Sequence, residues 1–226
     1  MTYESLAYAI KNNVSDGLHS VNQFSYSIEQ IIDEALLLRN RIIYEKGNGP
    51  KINIKFFTQK MSKIPISCEK LHGECSLPID EIEMHISIPK PISTMDDTGI
   101  VYAGPMDNSS SFKLYYDDNY SKHKYRAKTA HKPYIYLDLE SENTEGYINA
   151  YLFNMGRYRE MKYMLVRGVF ADPRLASMAP NFYQDEFAAP LEVQSIIIDQ
   201  LTQKYVQYYR QLNFGPQANT QSSLTT

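Results

Sequence analysis

Apolar residues recur at helical spacing from Ser27 to Lys46, where Ile28, Ile31, Ile32, Ala35, Leu36, Leu38, Ile42 and Ile43 are set among polar positions in SIEQIIDEALLLRNRIIYEK. That spacing predicts an amphipathic helix. Ser27 and Gln30 form a capping box at its start, and Gly47, Asn48, Gly49 and Pro50 stop it. A shorter helix is predicted from Tyr3 to Asn12, with Leu6, Ala7 and Ile10 turned inward. Near the other end, LEVQSIIIDQLTQKYVQYYRQL, Leu191 to Leu212, predicts a long helix that begins after Pro190. Its apolar stripe is expected to hold Val193, Ile197, Leu201, Tyr205, Tyr208 and Leu212.

Between these helices the period changes to two. Ile52, Ile54 and Phe56 alternate with Asn53 and Lys55, and Ile82, Met84, Ile86 and Ile88 alternate with Glu83, His85 and Ser87, which predicts strands with one wet face. Further strands are expected over Gly99 to Ala103, Phe112 to Tyr116, Tyr134 to Glu140, Tyr147 to Phe153 and Glu160 to Phe170, with SENTEG, Ser141 to Gly146, as a hairpin loop. In MKYMLVRGVF, Met161 to Phe170, Met and Leu favour helix while the valines, Phe170 and the interior Gly168 favour strand; strand is the reading taken. The fold class is therefore α+β, with N- and C-terminal helices forming a helical bundle that brackets a mostly antiparallel β region. The expected division is a helical part at 1–50 and 190–212, a β-rich part at 51–189, and a C-terminal arm at 213–226 whose small polar residues cannot order themselves unaided.

The 226 residues are 43% hydrophobic, enough for one sizeable core or two small ones, and the net charge of −3 shows no global pull toward nucleic acid or anionic membrane. Two cysteines, Cys68 and Cys75, are too few for a disulfide scaffold and fit synthesis in a reducing compartment. The N-terminal stretch carries Glu4 and lacks a cationic start and a long apolar run, so it is not expected to be a secretory signal. No stretch approaches the ~20 apolar residues of a membrane span. Nineteen tyrosines against no tryptophan fit half-buried surfaces, although composition does not separate interface from core.

Motifs with strong mechanistic content are missing, among them GxGxxG, the P-loop, GxSxG, HExxH and the EF-hand, so neither an enzyme nor a cofactor is expected. Cys68, His72, Cys75 and His85 offer zinc-type ligands at a spacing unlike a standard finger; ordinary thiols in a loop are the competing reading. The tract YSKHKYRAKTAHK interleaves Lys122, Lys124, Arg126, Lys128 and Lys132 with Tyr120 and Tyr125. It would suit phosphates and exposed bases, but a solvated loop or a contact with an acidic partner has the same composition. Asp96-Asp97, Asp117-Asp118 and Asp172 stand where turns prefer aspartate, and His123 or His131 with Asp138 has no accompanying nucleophile.

The segments KPYIYLDLESENTEGYINAYLFN, Lys132 to Asn154, and MKYMLVRGVFADP, Met161 to Pro173, resemble connector proteins of tailed phages, in particular the ring proteins of crAss-like phages. IIDEALLLRNRIIYE and PLEVQSIIIDQLTQKYVQYYR resemble the helical part of head-to-tail adaptor and tail-tube subunits of podovirus-like particles. The resemblance implies a structural virion protein at the head-tail interface or tail, made in the host bacterial cytoplasm. It would be a subunit of a dodecameric ring that joins portal to tail and forms part of the DNA channel. The implied partners are copies of itself, the portal protein, other tail or ring proteins and passing genomic DNA without sequence specificity, with no membrane. Tyr205, Tyr208 and Tyr209 are expected at the oligomer interface. A small nucleic-acid- or partner-binding module using Tyr120 to Lys132 is the alternative.

Overall fold

Helix α1, Tyr3–Gly17, starts where the Thr2 hydroxyl accepts the Ser5 N–H at 3.1 Å, and it buries Leu6, Ala7, Ile10 and Val14 at helical spacing. The computed structural model describes residues 1–17, 26–47, 54–70, 82–92, 99–116, 132–177 and 181–214. Helix α2, Ile28–Gly47, is closed by the capping box its sequence encodes: the Ser27 N–H donates to Gln30 Oε1 at 2.9 Å and the Gln30 N–H to Ser27 Oγ at 3.2 Å. Helix α3, Leu191–Phe214, begins after Pro190, whose carbonyl accepts the Val193 and Gln194 N–H groups. It packs against α1, and its Lys204 and Tyr205 both reach Glu34 Oε2 of α2 at 2.8 Å.

Among the described residues the fold is α+β, with three helices and mostly antiparallel sheets. It divides into two compact units, one of residues 1–39 with 183–226 and the other of residues 40–182. The first division falls inside α2 and the second ahead of α3.

Among the described residues the second unit has two sheets. One orders β1 (Gln59–Pro65), β8 (Tyr163–Gly168) and β4 (Ile100–Gly104); the other orders β2 (Ser67–Lys70), β3 (Ile82–Pro89), β7 (Tyr147–Phe153), β6 (Tyr134–Asp138) and β5 (Lys113–Tyr115). All pairings are antiparallel except β5 with β6. Residues of both sheets share one buried apolar cluster, which includes Ile86, Leu137, Ala150, Met164, Val166 and Phe170.

One expectation needs correction and one ambiguous reading holds. Ile54–Phe57 is a 3-10 turn, not a strand: Phe56, expected on the apolar face with Ile54, is exposed, and Phe57 is buried instead. The ambiguous tract is a strand, and its mixed pattern has a cause: β8 lies between β1 and β4 and is buried nearly throughout, so no wet face marks its period. Among the described residues, no helix is long and apolar enough to cross a membrane.

Candidate functional site

The hairpin β6–β7 carries the site. Its register runs from Tyr134 opposite Phe153 to Asp138 opposite Asn149, and residues after Asp138 make the turn back to Tyr147. Alternation sends Ile148, Ala150 and Leu152 into the core and Tyr147, Asn149, Tyr151 and Phe153 to the other face. On that face Tyr134 stacks on Phe153 with centroids 5.2 Å apart, Tyr115 meets Tyr134 edge-on at 5.3 Å, and Tyr136 lies 6.5 Å from Tyr151.

At the Tyr134 end the strands open into a cleft of about 990 Å³. Parallel pairing sets Lys113 of β5 beside Tyr134, Lys132 precedes β6, and Arg157 follows β7 in the 3-10 turn Gly156–Tyr158; all three cations line the cleft, and among the described residues no carboxylate does. Asn154 and Gly156 take positive φ where the chain leaves β7. The Lys113 Nζ sits 4.9 Å from the Tyr115 ring centre and the Arg157 guanidinium 4.8 Å from that of Tyr158. Arg157 Nη2 also donates to Tyr158 Oη at 2.6 Å, and Ser110 Oγ hydrogen bonds to the same oxygen at 2.7 Å. The Ser110 hydroxyl, helped by Arg157 and opposed by partial burial, holds the Tyr158 phenol below the usual tyrosine range. Among the described residues, none of the three cations is in an ion pair. Such a cleft can hold carboxylate or phosphate oxygens against positive charge.

Of the basic residues singled out from sequence, Lys132 is exposed at this cleft, while Lys122, Lys124, Arg126 and Lys128 lie outside the described residues. Lys113 and Arg157 carry no local motif and were missed; they reach Lys132 only through the β5–β6 and β6–β7 pairings.

The zinc-type ligands are not brought together where they can be followed. Cys68 of β2 pairs with Met84 and Ser67 with His85, so Cys68 and His85 point to opposite faces of the sheet. Cys68 is exposed and His85 lies 6.1 Å from the Tyr151 ring; His72 and Cys75 lie outside the described residues, among which no cluster of three potential ligands occurs. Asp172 caps the turn Pro173–Ala176, accepting the Arg174 N–H and pairing with its guanidinium at 2.7 Å. Asp138 accepts the Glu140 N–H, and the other aspartates and histidines named with it lie outside the described residues.

The tyrosines of α3 require another correction. Tyr205 and Tyr209 are buried inside the chain, and only Tyr208, 46% exposed, is open to a partner. Tyr205 lies against Tyr26, their rings tilted with centroids 4.6 Å apart, and donates to Glu34. Burial, reinforced by the Glu34 carboxylate, pushes its phenol far above the ordinary range. The unfolded chain ionises this tyrosine near pH ~10 while the folded chain keeps it neutral, so the stabilisation is complete below that pH and declines above it. Thermal melts should therefore show a stability drop beginning near pH ~10 that is shallower in Tyr205→Phe; equal slopes would contradict this.

No protein-family model matches the chain, and comparison with curated proteins gives no match.

Proposed function

We propose that the chain is a structural virion protein, one subunit of a dodecameric ring that joins a phage portal to the tail and forms part of the DNA channel. In this reading the terminal helices form the bundle that holds the protomer, and the β unit meets neighbouring rings or tail proteins. Its partners are further copies, the portal protein and passing DNA, and its place is the virion after synthesis in the host cytoplasm. No catalytic residue is needed.

The observation that supports this reading most is the amount of large apolar side chain left in water on each unit: Leu37 at 69% and Leu191 at 70% exposure on the helical one, Phe56 at 67% on the β one. Contact with other chains would remove that surface from water. Mass photometry with negative-stain imaging should find rings built from the 26.1 kDa chain, alone or on adding a portal protein. A chain that stays monomeric and never joins a portal would refute the reading. Leu37→Arg and Leu191→Arg should leave stability within about 0.5 kcal/mol yet reduce assembly.

The three cations at the cleft favour a second reading, a nucleic-acid- or partner-binding module. Salt-dependent DNA binding that is lost on neutralising Lys122, Lys124, Arg126 and Lys128 would select it.

A further inference from the structure

The two ends of the β6–β7 hairpin carry opposite charge. From Asp138 to Glu145 the turn reads DLESENTE, with four carboxylates and no cation. Glu140, Glu142 and Glu145 are exposed, and Lys90 pairs with Glu142 alone. The turn is rigidly built: Asn143 Oδ1 accepts the Glu145 and Tyr147 N–H groups at 3.0 and 2.9 Å, and Ser141 Oγ accepts the Asn149 N–H at 2.8 Å. At the far end, roughly 15 Å away by strand rise, lies the cleft with Lys113, Lys132 and Arg157. Asp107, which acts electrostatically on Tyr158, is engaged by the Ser109 N–H.

We propose that the acidic β6–β7 turn of one copy docks into the basic cleft of the next. The inference rests on the ring reading and names one of its contacts. A hairpin cannot fold its own tip into its opposite end, so a contact between these two ends needs a second copy of the chain. A contact between unlike ends is heterologous, the type that closes into a ring when the rotation allows. Carboxylates fit the cleft better than nucleobases do. Tyr134 is 3% exposed and already stacked, and the rings of Tyr115 and Tyr158 each carry one of the protein's own cations. What remains available is positive charge.

Two double variants test this at exposed positions, E140K/E145K for the turn and K113E/R157E for the cleft. Each alone sets like charges against each other between copies and should weaken self-association about a hundredfold at low salt, whereas the wild type should itself weaken at about 0.5 M salt. An equimolar mixture of the two should assemble again, because each supplies the charge that the other needs. Circular dichroism of each variant confirms that it is folded, and the mixture reports on docking independently of either. Assembly unchanged in both variants, or no recovery on mixing, overturns the contact while leaving the ring reading intact. A wild type that never self-associates, alone or on a portal, overturns both. Binding of an oligo-dT strand that K113E/R157E abolishes without altering assembly also overturns the contact and gives the cleft to nucleic acid.

Discussion

Replacing Arg39 by alanine is expected to destabilise the helical unit by about 3–5 kcal/mol, measured by urea or thermal unfolding. The side chain is fully buried, and its Nε donates to the Ala188 carbonyl at 2.6 Å. Truncation both empties the space of a long side chain and removes a donor from the Ala188 carbonyl. Arg39→Met keeps most of the bulk and loses the polar contacts, so its cost should be nearer about 1–3 kcal/mol. Equal losses in the two variants would mean that the hydrogen bond dominates, and a loss below about 1 kcal/mol in alanine would contradict the account altogether.

Gly99→Ala should be the most damaging small substitution in the β unit, with an expected loss above about 3 kcal/mol. Gly99 has φ +71°, and a Cβ placed there would stand 2.3 Å from the Ile92 carbonyl oxygen. The obstacle is backbone and cannot rotate away. The same backbone is tied on both sides, because the Val169 N–H donates to the Gly99 carbonyl at 2.7 Å and the Ile92 N–H to the Val169 carbonyl at 2.8 Å. Gly146 provides the comparison: its φ is +81°, but its added Cβ would meet only the Leu175 Cδ1 at 3.3 Å, a side-chain atom that can give. Gly146→Ala should therefore cost about 1–2 kcal/mol, the conformational term without the collision. Similar losses at the two sites would show that the collision relaxes.

The positions that local pattern misjudged share a geometric cause. β1 was not foreseen because its buried residues Met61 and Ile64 stand three apart. A register irregularity lies between them and Lys63 takes φ +59°, so the two-residue period is broken by a bulge. β2, SCEK, is a short edge strand of mostly polar residues whose existence depends on pairing with β3. Arg39 has no apolar side chain to mark it as core, although the phase set by Ile31, Ile32, Ala35, Leu36 and Ile43 turns position 39 inward. On α3 a similar slip of one position exchanged Tyr208 for the buried Tyr209.

By itself the sequence determined what short-range physics controls: helices α1, α2 and α3, the Ser27–Gln30 capping box, the alternation of β3 and β7 and the turn at Ser141 to Gly146. Each depends on residues within a few positions of one another. Tertiary structure alone decided which strands become neighbours, and so it alone brought Lys113, Lys132 and Arg157 to one cleft and left the carboxylates at the other end of the hairpin. Strand order is set by long-range burial of both sheet faces in a common core, and no local periodicity carries that information.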